Sequence, residues 1–324
     1  MRIVLCYPVE KRHYEQISDV APTAELVDAG QQAIAREILR ADIFCGHAKV
    51  SIDWDVVVRE GRLKWIQSSA AGLDHCLVPA VVSSDIAVTS ASGVLADQVA
   101  EHALALVLAL KRSLNVFFRA QQAREFIRRP TLDLHHCTVG IVGLGGVGRR
   151  IAEVVSPFKT RILAVDTFSL DKPRHVDALW PAERLSDLLA EVDVLFLSAP
   201  LTSATRGMID RRALGKMKQG ALLINVARGQ LVVEADLVEA LQDGHLGGAA
   251  LDVTEEEPLA TSSRLWDIPN VIITPHVGGQ SRLRIDQMTD FFCDNLRRYL
   301  QGRPLVNLVD KELGYPRRSA TSPP

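Results

Sequence analysis

Short, almost entirely apolar runs alternate with segments of helical spacing through the second and third hundreds of the chain. The runs are Val139–Gly143, Ile162–Asp166, Val194–Ala199, Ala221–Val226, Gly248–Val253 and Val271–Thr274. A strand that is apolar on both sides must be covered on both faces. Strands separated by helices join through right-handed crossovers into a parallel sheet. The pattern therefore predicts a doubly wound α/β domain. The first hundred residues repeat it less strictly, with strands expected at Arg2–Cys6, Glu25–Val27, Ile43–Gly46, Leu63–Gln67 and Ile86–Val88 and a helix at Gln31–Arg40. This is the pattern of a second, smaller α/β domain.

Two longer helices join the parts. Asp97 is placed to cap a helix through Val99, His102, Ala103, Leu106, Val107 and Leu110, apolar around so much of its circumference that it should be buried, with a second subunit as a candidate cover. Ile285, Met288, Phe292, Leu296 and Tyr299 recur at helical spacing until Gly302, predicting an amphipathic helix over Ser281–Leu300 that returns the chain to the first domain. The expected division is a discontinuous domain of residues 1–97 and 284–324 around an inserted domain of residues 98–283. The tail after Tyr315 lacks apolar residues and is expected to be disordered.

Composition adds mainly exclusions. The 324 residues carry a formal charge of −2, with basic and acidic groups interspersed, which speaks against a nucleic-acid or membrane partner. The apolar stretch Ala103–Leu110 is far below the roughly 20 residues of a membrane span. The five cysteines, Cys6, Cys45, Cys76, Cys137 and Cys293, are scattered and form no C-x-x-C pair, which points to a reducing compartment and no metal site. The amino terminus reads as a first strand rather than a secretory leader, so a cytoplasmic location is expected.

Gly143, Gly145 and Gly148 follow an apolar strand and open the helical segment Val147–Val155, and Asp166 closes the next strand. In that context the spacing is a dinucleotide-binding signature. The glycines allow the tight turn, the approach of the pyrophosphate and close helix–strand packing, and the helix amino end offers N–H groups and a positive dipole. Asp166 would accept from the ribose hydroxyls and repel a 2′-phosphate, favouring NAD over NADP, while Lys172 and Arg174 just beyond pull the other way.

Three polar positions follow late strands of the same domain, where open α/β sheets bind ligands: Arg228, the acidic cluster Glu255, Glu256 and Glu257, and His276. Singly, each has an ordinary explanation as a solvated cation, an acidic loop or a structural histidine. Together, beside a nicotinamide site, they offer what reduction of a keto acid needs: a cation for the carboxylate, a proton donor for the developing alkoxide, and a carboxylate that stabilises the imidazolium.

At this point the chain resembles the D-isomer-specific 2-hydroxyacid dehydrogenase family over nearly its full length. The motifs are Gly143-Leu144-Gly145-Gly146-Val147-Gly148, Asn225-Val226-Ala227-Arg228-Gly229, Leu251-Asp252-Val253 followed by Glu257-Pro258-Leu259, and Thr274-Pro275-His276-Val277-Gly278-Gly279. The resemblance implies a Rossmann domain inserted in a flavodoxin-like substrate domain. It implies that Arg228 binds the substrate carboxylate and carbonyl, that His276 is the general acid/base paired with Glu257, and that Asp252 holds the nicotinamide carboxamide.

Ser68-Ser69-Ala70-Ala71-Gly72-Leu73-Asp74-His75 is similar to the family's substrate loop, with the N–H groups of Ala71 and Gly72 as carboxylate ligands. Without the resemblance it reads equally as a serine-capped turn. Pro200 and Thr205 resemble the loop under the cofactor. The cofactor set is thus Gly143, Gly145, Gly146, Val147, Gly148, Asp166, Pro200, Thr205, Ala227 and Asp252. His75 and His102 belong to these patterns but read as structural. Two departures stand out: Gly146 replaces a long polar residue of the glycine loop, and Thr254 replaces an aromatic after Asp-Val. Glutamate rather than glutamine as the histidine's partner argues against the formate dehydrogenase branch.

The expected activity is hydride transfer between NAD(H) and C2 of a small 2-keto or D-2-hydroxy acid. Glyoxylate or hydroxypyruvate leads because the loop is built of small residues, and family precedent implies a homodimer. Two alternatives stay open: a nucleotide-sensing corepressor on the same fold, and a phosphite or sugar-acid dehydrogenase.

Overall fold

The computed structural model of the protein describes residues 1–167 and 172–317. The chain forms two compact units, Met1–Leu95 together with the segment that starts at Ser281, and Ala96–Gln280. The chain leaves the first unit at Leu95, two residues before the expected boundary. Asp97 lies within the helix Ala96–Lys111 rather than capping it, and pairs with Arg150 at 2.7 Å.

In the first unit five parallel strands, β1 (Arg2–Cys6), β2 (Glu25–Asp28), β3 (Ile43–Gly46), β4 (Trp65–Ser68) and β5 (Ala87–Thr89), lie in the order β2-β1-β3-β4-β5. This is the flavodoxin-like order. One face packs Val4, Phe44, Ile66 and Val88 against Ile34, Ile38 and Val57. The other packs Ile3, Leu5, Ile43 and Trp65 against Ile17 and against Phe292 and Leu296 of the helix Arg284–Leu300. That helix starts three residues later than its periodicity predicts and is followed by Gly302 at a φ of 63°.

The second unit holds seven parallel strands: β6 (Thr138–Val142), β7 (Arg161–Asp166), β8 (Ala178–Pro181), β9 (Val194–Leu197), β10 (Leu222–Asn225), β11 (Gly248–Leu251) and β12 (Val271–Ile273). Their order is β12-β11-β10-β9-β6-β7-β8. The chain therefore reverses direction across the sheet between β6 and β9, the place where doubly wound folds open a ligand crevice. One face buries Val139, Ile141, Val194 and Phe196 under Ala103, Leu106 and Val107 of Ala96–Lys111 and under Ile151 and Val155 of the helix Gly146–Val155. The opposite face buries Leu163, Leu195, Leu197 and Leu223 under Leu188, Leu214, Leu237 and Leu241. Much of the helix Ala96–Lys111 is thus covered within its own unit.

Three findings depart from expectation. The edge strand β8 escaped the sequence reading, because Ala178–Pro181 is short and only half-buried. Except for β7, which ends at Asp166 as expected, the expected strands of the second unit end one or two residues before the apolar runs do, since residues such as Gly143, Ser198 and Val226 already belong to loops. The segment after Tyr315, expected to be disordered, begins instead with Pro316 in a short antiparallel ladder, Tyr315–Pro316 against Val309–Asp310, and Arg317 reaches Asp310 at 2.7 Å. The remaining tail residues, 318–324, lie outside the described residues.

Candidate active site

The glycine loop leaves β6 with Gly143 in the left-handed region at a φ of 89°, and a side chain there would run into the backbone of Ala199 at 2.6 Å. A side chain at Gly148 would strike the carbonyl of Gly143 at 2.1 Å. These two glycines let the helix lie against the strand ends. Gly145 is different, because a Cβ there meets nothing within 4 Å. It stands before the helix Gly146–Val155, whose amino end has no side-chain cap. Uncapped N–H groups behind a bare backbone suit a pyrophosphate. At the end of β7, Asp166 accepts from the N–H of Leu144 at 2.5 Å, which ties the acidic residue to the loop. Lys172 donates to the carbonyl of Val176 at 2.6 Å, and Arg174 to His175 at 3.1 Å. Past β9, Thr205 closes the neighbouring loop by donating to the carbonyl of Pro200 at 2.7 Å.

Beyond β10 the turn to Arg228 is folded by a buried asparagine. Asn225 accepts from the N–H of Ala227 at 3.0 Å and donates to the carbonyl of Arg228 at 2.9 Å. Gly229 lies so close to the backbone of Thr254 that a Cβ would overlap it at 1.9 Å. The Arg228 loop and the acidic loop are thereby stacked, and Gln230 locks them by donating to the carbonyl of Glu255 at 2.7 Å. Thr254, the departure from the family pattern, is buried and donates to the carbonyl of Glu256 at 2.6 Å, which shapes the turn presenting Glu257.

Glu257 and His276 meet: Nδ1 of the imidazole lies 2.8 Å from Oε2 of the carboxylate. With Nδ1 engaged, Nε2 is the nitrogen left for proton exchange. His276 has a φ of 54°, a left-handed conformation that non-glycine residues rarely adopt, and its N–H donates to the carbonyl of Asp252 at 2.8 Å. Asp252 is only 3% exposed. It accepts from Thr274 Oγ1 at 2.7 Å and from the N–H groups of Val277 and Gly278 at 2.9 and 2.8 Å, and His102 Nε2 lies 3.3 Å away. Burial alone would raise its pKa, but the hydrogen bonds from His102, Thr274, Val277 and Gly278 outweigh that and hold it below the usual carboxylate range. The sequence left His102 as structural; its ring also lies 2.9 Å from Thr274 Oγ1, so it buttresses the loop that carries His276.

In the first unit, Ser68 ends β4, and its hydroxyl oxygen accepts from the N–H of Ala70 at 3.1 Å. Ser69 donates to the carbonyl of Gly46 at 3.1 Å, and the carbonyl of Ala70 accepts from Ala91 at 3.0 Å. Ala71 is exposed and Gly72 half-buried. Among the described residues their N–H groups have no acceptor, which leaves two adjacent donors at the loop tip.

Two sheets of these orders, a glycine loop with open space at its centre, and a carboxylate–imidazole pair past late strands define a nucleotide-dependent oxidoreductase of the Rossmann type. Residues 104–278 match the model of the D-isomer specific 2-hydroxyacid dehydrogenase, NAD binding domain. The (S)-sulfolactate dehydrogenase of Chromohalobacter salexigens is 37% identical over 258 residues, covering 78% of this chain and 82% of its own. The glyoxylate reductase of Aeropyrum pernix is 34% identical over 279 residues, covering 81% of each. The structure of the NADPH-dependent glyoxylate/hydroxypyruvate reductase of Sinorhizobium meliloti with NADP and sulfate superposes with a TM-score of 0.83 at 27% identity, covering 97% of this chain and 99% of that one. The chain belongs to the D-isomer-specific 2-hydroxyacid dehydrogenase family, and it is a dehydrogenase of that family.

Proposed function

We propose that the protein reduces the C2 carbonyl of a small 2-oxo acid to a D-2-hydroxy acid at the expense of NADH. The Nδ1–Oε2 contact between His276 and Glu257 carries this reading, because it fixes one tautomer and stabilises the imidazolium that a carbonyl reduction consumes. When bound, the reduced nicotinamide supplies the hydride. Gly145, Gly146, Val147 and Gly148 would hold the pyrophosphate, and Pro200, Thr205 and Ala227 would line the rest of the cofactor site. Arg228 pairs with the carboxylate and polarises the carbonyl. His276 gives the proton from Nε2 to the developing alkoxide, and Glu257 orients the ring for that transfer through Nδ1. Asp252 anchors the His276 loop and offers its remaining Oδ2 lone pair to the carboxamide. The adjacent N–H groups of Ala71 and Gly72 are a carboxylate-binding element within the first unit.

NAD is favoured over NADP because the Asp166 carboxylate, held at the loop by Leu144, opposes a 2′-phosphate. The neighbour from Sinorhizobium meliloti is described with NADP, so the choice rests on this carboxylate. The names of the relatives differ in the group carried on C2, hydrogen for glyoxylate and a substituted methylene for hydroxypyruvate and sulfolactate, so kinship supports the reaction class more closely than the substrate. Small residues through Ser68–Gly72 keep glyoxylate and hydroxypyruvate in the panel.

Self-association is supported by the exposed apolar side chains of Phe118, Phe126, Ile127 and Leu132, Phe126 being 94% exposed. We infer a homodimer that covers them. Among the described residues no helix is long and apolar enough to cross a membrane.

The test is oxidation of NADH and NADPH across 2-oxo acids differing in the group carried on C2, glyoxylate and hydroxypyruvate included. Turnover of any member with NADH preferred supports the reading, and silence across the panel with NADH still bound contradicts it.

A further inference from the structure

Lys111, the last residue of the helix Ala96–Lys111, is charged yet only 6% exposed. A buried ammonium calls for a carboxylate or several carbonyl oxygens, because desolvation is costly when its N–H groups go unmatched. Among the described residues its Nζ has one hydrogen-bond acceptor, the sulfur of Cys137 at 3.4 Å. The carboxylates of this corner are engaged elsewhere. Asp193 feels the Lys111 charge through space, but it accepts from the N–H of Thr138 at 2.7 Å and from Lys218 at 2.9 Å, and Asp133 pairs with Arg112 at 2.6 Å. A neutral thiol is a weak acceptor, so the ammonium has less negative charge beside it than its burial demands.

The sulfur is held in this place by the backbone around it. The N–H of Cys137 donates to the carbonyl of Leu134 at 3.2 Å, its carbonyl accepts from the N–H of Arg161 at 3.0 Å, and its thiol donates to the carbonyl of Asp133 at 3.3 Å. Cys137 is half-buried where the other four cysteines are buried, so a small reagent can reach it. It stands directly before β6, at the end of the strand away from the glycine loop, and takes no part in the cofactor site.

Negative charge on the sulfur would match the buried ammonium, and a cation beside a partly exposed thiol is the setting in which cysteines react with electrophiles. We propose that Cys137 is a modification site for hydrogen peroxide, with Lys111 as its activating cation. Sγ attacks one peroxide oxygen. The S–O bond forms as the O–O bond breaks, the sulfur is oxidised to a sulfenic acid, and the departing hydroxide takes the thiol's proton and leaves as water. The ammonium stabilises the negative charge as it passes from sulfur to the leaving oxygen. The inference stands apart from the reduction proposed above and holds whether or not that reaction is the protein's own.

The test exposes the full chain to a limiting amount of hydrogen peroxide with dimedone present, and follows adducts at each cysteine by peptide mass mapping. Cys137 should carry the adduct first, at a rate about tenfold or more above that of free cysteine at the same pH and above that of Cys137 in the urea-denatured chain. Lys111→Met, with its fold checked by circular dichroism, should slow the reaction by a similar factor. A Cys137 rate no greater than that of free cysteine, or equal in the native and denatured chains, overturns the proposal whether or not the variant folds. An unchanged rate in folded Lys111→Met overturns it as well.

Discussion

The carboxylate of Glu257 holds Nδ1 of His276 at 2.8 Å, in a loop where the histidine adopts a left-handed backbone. If Glu257 orients His276 for proton donation, Glu257→Gln lowers kcat for 2-oxo acid reduction, by at most the roughly hundred- to ten-thousandfold that general acid catalysis contributes. Steady-state kcat of both proteins checks this; an unchanged kcat would remove Glu257 from the proton path.

Asp166 is expected to set the cofactor preference. Asp166→Ala removes the charge that opposes a 2′-phosphate, so the ratio of kcat/KM for NADH over NADPH should fall about tenfold or more. An unchanged ratio would assign discrimination to other residues, Lys172 and Arg174 among them.

The Asp252 hub couples stability to acid. Its pKa is held below the usual value, so its contribution to stability is fully present above about pH 4, the ordinary carboxylate range, and is lost as pH falls through the lower folded-state value. Asp252→Asn should destabilise the protein by about 1–3 kcal/mol near neutrality through the unmatched N–H groups of Val277 and Gly278. The difference from wild type should shrink towards acid pH in urea titrations. Gly278→Ala should also perturb the hub, because its Cβ would lie 2.8 Å from Asp252 Oδ2.

Thiol chemistry separates the five cysteines. Burial pushes the Cys6 thiol up to about 11 and those of Cys76 and Cys293 up to about 12, and raises Cys45 as well, so these groups stay protonated and shielded at neutral pH. Cys137 is the half-exposed one. An aromatic disulfide reagent should label one thiol per native chain, identified by mass mapping as Cys137, and all five after denaturation.

Much of this architecture was legible because parallel strands buried on both faces must be apolar throughout. Ile43–Gly46 and Arg2–Cys6 coincide with their expected bounds for that reason. β8 did not announce itself, since an edge strand covered on fewer sides carries a weaker apolar signal. The site residues were legible as motifs, but the means of holding them were not. Nothing in the spacing shows that Asn225 folds the Arg228 turn, that Thr254 shapes the Glu257 turn, or that His102 braces Asp252 from a helix more than 140 residues earlier in the chain. Those contacts depend on strand register, which only the folded chain brings into being.

Single-turnover hydride transfer from NADH, followed by nicotinamide fluorescence with wild type and His276→Asn under a saturating 2-oxo acid, addresses proton donation by His276 most directly. Binding of NADH to both proteins is measured in the same experiment. The expected result is NADH affinity within about twofold and a transfer rate lower by about two to four orders of magnitude in the variant. Equal transfer rates in the two proteins would contradict the account.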